Sequence, residues 1–166
     1  MAGRKPIWSF FVAGLLILTV GAGSAAANGP ARSFNSLNAT WVGSAAIVGN
    51  CENGKLLFVE TGVGFVEQAG LSTWYDKYCV DPITWTTSGR NAVITAENGD
   101  KIFMKVELLF VWTSQATGNW IEHETIIGGT GKFATATGGT HSRGTFTLTD
   151  PTHAEWEGIE VGLISY

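Results

Sequence analysis

The sequence is short of positive charge, of histidine and of cysteine, and it has no stretch with a helical hydrophobic period. Ten Lys and Arg stand against 14 Asp and Glu in 166 residues. That deficit excludes the usual electrostatic binder of nucleic acid or of an anionic membrane surface. The two cysteines, Cys51 and Cys79, have no nearby His pair and make a poor zinc set. In an oxidising compartment an even, minimal count reads as one disulfide, closing a loop of about 29 residues and contributing about 3–4 kcal/mol on the chain-entropy model. Two buried free thiols or a metal pair are the alternatives. No G-x-S-x-G elbow and no Ser–His–Asp arrangement is recognisable, so no catalytic residue is assigned. No cofactor and no metal site is expected. Beyond the N-terminus, no segment is apolar enough to suggest a membrane-crossing helix.

What is present begins with an address. Residues 1–27 carry a short basic start (Arg4, Lys5), an apolar run from Ile7 to Val20, and Ala25 and Ala27 placed as an A-x-A cleavage site. This reads as a secretory signal peptide and predicts a secreted or periplasmic protein, with no membrane association after cleavage. The apolar run is too short for a comfortable bilayer span. Without Arg4 and Lys5 the balance is 8 basic against 14 acidic residues, a net charge of −6. Residues 28–39 are small and polar and are expected to form a flexible leader, with one domain from 40 to 166. Asn38-Ala39-Thr40 matches a glycosylation sequon.

From Thr40 onward the chain reads as strands separated by turns. Segments 40–48, 56–67, 83–88, 91–96, 101–113, 120–127, 132–138, 144–149 and 155–166 are rich in β-branched and aromatic residues and alternate with period 2. The irregular stretch 68–82 is the one place where a helical turn could sit. Asn98-Gly99 between two alternating runs predicts a two-residue type I′ hairpin. In the following arm Ile102, Met104, Val106, Leu108, Phe110 and Trp112 share one face. About eight or nine strands and no confident helix give an all-β expectation, a barrel or a sandwich.

Gly129-Thr130-Gly131-Lys132-Phe133-Ala134 satisfies the letters of a dinucleotide fingerprint. The fingerprint needs a helix after its glycines, and "KFATATGG" is not one. Phe133 also stands where a phosphate loop needs Ser or Thr. A hairpin turn explains the glycines, with Phe133 returning to the core. "GGTGKFATATG" (128–138) resembles the G-G-[TS]-G-x-F-x-x-A-x-G hairpin of dirigent proteins and allene oxide cyclases. It is closer to exported bacterial proteins of that barrel type, which commonly carry an "ANGD" turn and end in "G-x-ISY"; the matching pieces here are "ENGD" (97–100) and "GLISY" (162–166). The resemblance covers about residues 90–166. It implies the fold class all-β, a single eight-stranded antiparallel, calycin-like β-barrel with a central cavity, and, from the plant families, a homo-oligomer, a trimer. The segment between Cys51 and Cys79 departs from the pattern, so no catalytic residue is carried over.

Taking the more apolar face of each strand as inward places Trp41, Ala45, Ile47, Leu57, Val59, Thr61, Val63, Phe65, Ile83, Trp85 and Thr87 inside. The even positions from Ile102 to Trp112 join them, with Ile121, His123, Thr125, Ile127, Phe146, Leu148, Ile159, Val161 and Leu163. Thr61 and His123 stand out among the polar members. With Trp85 and Trp112 they are the candidate ligand-binding residues. His123 would orient a ligand or shuttle a proton, unless it is a core histidine bonded to a carbonyl. Glu122 and Glu124 point opposite to it in a strand, which argues against a shared metal. Glu60, Glu107, Glu122, Glu124 and Glu160 fall on the outward, solvated face. Trp120 and Trp156 are expected outward too, as an exposed patch suited to a subunit interface. His141 and His153 fall in turns. Three functions fit: a binding barrel for a small apolar ligand, a filled barrel serving as an oligomeric interaction protein, and an isomerase or cyclase type of enzyme.

Overall fold

A computed structural model describes residues 33–166; the expected signal peptide and most of the leader lie outside the described residues. Eight strands form a closed antiparallel barrel: β1 (Asn35–Asn50), β2 (Leu56–Val66), β3 (Gly70–Val80), β4 (Thr86–Ala96), β5 (Lys101–Trp112), β6 (Thr117–Gly129), β7 (Thr137–Asp150) and β8 (His153–Ser165). Each strand pairs with its neighbour in sequence, and β1 closes the ring on β8, from Asn35 opposite Ile164 to Ala46 opposite His153. β1 starts at Asn35, so residues 35–39 of the expected leader are paired backbone, and Leu37 is wholly buried. The stretch read as irregular holds β3, in full register with β2 from Gly70 to Val80. Ile83 and Trp85, read as part of a strand, lie instead in the β3–β4 connection.

Two details of the chain reversals set the barrel's shape. At Asn98-Gly99 only Gly99 has positive φ, the Gly99 amide donates to Ala96, and the Ala96 amide donates to Asp100. This is a three-residue turn ending in a left-handed glycine, not the two-residue type I′ turn expected, which needs positive φ at both central residues. In β4, Thr87 opposes Leu108 but Arg90 opposes Val106, so one extra residue bulges out beside Gly89, whose φ is +69°. A bulge of this kind reverses which side chains face inward. It turns Arg90, Ala92, Ile94 and Ala96 into the barrel.

One end of the barrel is plugged. The β6–β7 connection folds over it through a 3-10 turn at Gly131–Phe133. Phe133 is completely buried there, near Leu37, Val66, Ile102 and Ile164, which are equally buried. The glycine stretch is therefore a cap on a hairpin: the Lys132 amide donates to Asp100, and the Lys132 ammonium donates to the Gln68 carbonyl, 2.6 Å away.

The opposite end carries connections 51–55, 81–85, 113–116 and 151–152. Cys51 and Cys79 form a disulfide there, tying the β1–β2 connection to the end of β3. Replacing both cysteines by alanine is expected to lower stability by about 3–4 kcal/mol, from the loop-closure entropy returned to the unfolded chain. Urea titration of the double variant against the parent reads it directly; a change under about 1 kcal/mol refutes the expectation.

Candidate functional site

The inward faces differ from those expected on three strands. β2 turns Phe58, Glu60, Gly62, Gly64 and Val66 inward; β6 turns Trp120, Glu122, Glu124 and Ile126 inward; β8 turns Trp156, Gly158, Glu160, Gly162 and Ile164 inward. Thr61, Val63, Phe65, Ile121, His123, Thr125, Ile127, Ile159, Val161 and Leu163 are consequently on the outside and exposed, and Leu57 and Val59 share that outer face half-buried. Choosing the more apolar face fails here for a physical reason. A narrow barrel fits large interior rings only opposite residues with no side chain. The Trp156 ring lies where Gly62 would carry a Cβ, at 2.7 Å, and the Trp120 ring meets Gly144 in the same way, at 2.6 Å. Glycine scores as neither polar nor apolar, so the interior stripe was hidden. Trp120 and Trp156, expected outside, are buried at 6 % and 8 % exposure, their rings 5.9 Å apart and edge to face.

At mid-height the interior is ionic. Arg90, fully buried in β4, donates from Nε to Asp76, from one terminal nitrogen to Glu122, and from the other to Glu60 at 3.0 Å. Its guanidinium lies 4.0 Å from the centre of the Tyr78 ring. The Tyr78 hydroxyl donates to the same Glu60 oxygen at 2.8 Å. Glu60 and Asp76 are direct cross-strand partners, as are Glu122 and Ser142, and Glu124 and Thr140. The Ser142 hydroxyl lies within hydrogen-bond distance of both Glu122 and Glu124 and shares its one proton between them, Thr140 donates to Glu124 at 2.9 Å, and the Trp41 indole donates to Glu160 at 3.0 Å.

Five carboxyls thus share the interior with one guanidinium. Burial drives the Glu60 carboxyl up to about 7 against the pull of Arg90 and the Tyr78 hydrogen bond, with the charge of Glu122 adding to the rise. Burial, then the charges of Glu122 and Glu160, raise Glu124 to about 8, against hydrogen bonds from Ser142 and Thr140. Asp76 and Glu160 are raised in the same direction by burial. Each of these two keeps one buried oxygen without a donor, a state a neutral carboxyl tolerates better than a charged one.

Above the ionic layer, towards the disulfide end, is a cavity of about 80 Å³. Trp85, Phe110, Trp112 and Phe146 make its wall. They close a cycle of edge-to-face contacts, with centroid distances of 4.9 Å (Trp85–Trp112), 4.9 Å (Trp112–Phe146), 5.5 Å (Phe146–Phe110) and 6.3 Å (Phe110–Trp85). Phe58, Trp120, Trp156, Leu108 and Ala45 add to the apolar lining, Glu60, Glu122 and Tyr78 form the floor, and His153 sits at the rim. Trp85 holds a left-handed backbone, φ +54°, fixed by its amide donating to Asp81 and its carbonyl accepting from Phe110. Such strain in a bulky residue persists only where the surroundings impose it.

Of the four ligand candidates, Trp85 and Trp112 line the cavity; Thr61 and His123 lie on the outer wall. His123 packs edge to face on His141, 4.6 Å between centroids, beside Val161. His141 stands in β7, not in a turn. Glu107 faces outward as expected, while Glu60, Glu122, Glu124 and Glu160 face inward. Among the described residues no group of His, Cys, Asp and Glu is arranged to hold a metal. The chemistry available at the floor is proton transfer through Glu60. Set against known protein families, curated proteins and solved structures, the chain finds no match.

Proposed function

We propose that this is an exported binding barrel of the kind resembling the allene oxide cyclase and dirigent proteins, taking a small, mostly apolar ligand in its disulfide-end cavity. The observation that carries this reading is the cavity itself: about 80 Å³, walled by a closed cycle of aromatic rings. Pockets that enclose drug-sized ligands run to several hundred Å³. This one suits a single ring or branched group, the remainder of a longer ligand lying across the mouth. Secretion fits both the disulfide and the signal-like start of the sequence. Against a lipid-facing barrel stand Lys105, Glu107 and Arg143, exposed along the outer wall, where lipid would charge about 2–4 kcal/mol for each basic residue near the midplane.

A second reading, an oligomeric interaction protein, draws support from the outer wall. Phe65, Val63, Val42, Ile159, Val161, Leu163 and Ile121 are all 43–59 % exposed on β2, β1, β8 and β6. Cross-strand pairing brings Val63 beside Val42 and places Ile159 and Phe65 on either side of Thr40. Native mass spectrometry of the protein taken from its own culture medium tests both. A bound small molecule, lost on unfolding, is the result expected from the first reading. An empty homo-oligomer that takes up no benzyl alcohol or indole shifts the function to the outer wall and overturns the first.

A further inference from the structure

The cavity's polar groups restrict what it can accept. Trp112, Trp120 and Trp156 line it, yet their indole N–H groups are fully buried and have no partner. They turn ring carbon, not a donor, to the space. Glu60 is different. Its Oε2 accepts from both Tyr78 and Arg90, while its Oε1 accepts no hydrogen bond and is not among the fully buried polar atoms that lack a partner, so it keeps accessible surface. The residue is 8 % exposed, and it lines the cavity floor. A side chain about nine-tenths buried therefore lines an aromatic chamber and keeps one carboxyl oxygen without a hydrogen-bond donor.

The barrel already shows how it treats a cation. Arg90 is held against the face of Tyr78 by three carboxylates. That arrangement, an aromatic face on one side and carboxylates on the other, is how organic cations are recognised when water is excluded. With five interior carboxyls and one guanidinium, the layer has acid to spare for a second cation.

We propose that the cavity binds the ammonium or other organic-cation head of a small ligand, with the free Glu60 Oε1 as its ion-pair partner and the Trp85, Phe110, Trp112 and Phe146 rings as its wall. This rests on the binding-barrel reading and names the ligand's charge. The groups facing Glu60 are Asp76 and Tyr78 from β3, Arg90 from β4 and Glu122 from β6. Near neutral pH an arriving ammonium favours the ionised Glu60, so the Glu60 proton leaves to the buffer while the ammonium keeps its own.

Isothermal titration of the purified protein with benzylammonium and with benzyl alcohol, near-isosteres differing in charge, is the test. At pH 8 benzylammonium should bind about tenfold tighter. The preference should shrink towards unity at pH 5.5, and heats near pH 7 should vary with the buffer's ionisation enthalpy as a proton is released. Glu60→Gln should abolish the preference. If that variant misfolds, the pH series and the buffer series on the unmodified protein decide the matter alone. Equal binding of both probes at pH 8 overturns the charge inference and leaves the cavity reading standing. Binding of neither overturns both.

Discussion

Arg90→Leu is expected to cost about 3–5 kcal/mol of stability at pH 7, the scale of breaking a buried ion pair by removing one partner. The side chain it replaces is completely buried and holds Glu60, Asp76 and Glu122 at once. Leucine would fill part of the volume and leave three carboxyls in a low-dielectric interior with no cation. The layer's reply would be to take up protons, so the loss should be smaller at pH 5 than at pH 8. Urea midpoints at the two pH values measure it, with Lys105→Leu on the exposed wall as a control expected to stay within about 0.5 kcal/mol. A loss under about 1 kcal/mol at pH 8 would mean that Arg90 does not hold these carboxyls as charged partners.

The second large effect is a fall in stability as pH rises from about 5 to 8. Below about pH 4.5 folded and unfolded chains both carry the Glu124 proton, and Glu124 contributes no difference. Above it the unfolded chain releases that proton, while the folded barrel keeps it until about pH 8. Over that window the unfolded state gains, at 1.36 kcal/mol per pH unit. The full effect for Glu124 is on the order of 3–5 kcal/mol, and Glu60, raised to about 7, adds in the same direction. Glu124→Gln mimics the protonated side chain and should flatten the profile, giving a variant more stable than the parent at pH 8. A parent profile level between pH 5 and 8 would refute the burial of these carboxyls as ionisable groups.

The barrel itself was legible in the sequence. Period-2 alternation and turn residues carried the all-β class and most of the strands, and the two cysteines carried the disulfide; β3 went unread inside 68–82, and most of 132–138, expected as a strand, belongs to the β6–β7 connection. β5 was read with the correct face because it is uninterrupted: Ile102 to Trp112 alternate without a bulge or a glycine. The ionic layer was not legible, for two reasons rooted in particular residues. On β2, β6 and β8 the interior stripe is written in Gly, Trp and Glu, while the outer stripe is written in Val, Ile, Leu and Thr, so apolar scoring selects the wrong side. On β4 strict alternation from Thr87 would send Arg90 outward, and only the bulge at Gly89 reverses it. A signal was nevertheless present. Gly62 and Gly64, Gly158 and Gly162 recur at two- or four-residue spacing beside the Glu of their own strand. Glycines kept on one face of a strand mark the side where something large must pass.

The way the ring is closed also governs how it can form. Seven of the eight strand pairings join segments adjacent in the chain, but β1 meets β8 from opposite ends of the domain. β1 therefore waits, with one ladder edge unsatisfied, until the final strand arrives. A contact of such sequence separation is slow to make, because chain entropy is spent before any bond is gained. Losing the last dozen residues would reopen two bare edges at once, one on β1 and one on β7, each a template for pairing with another chain.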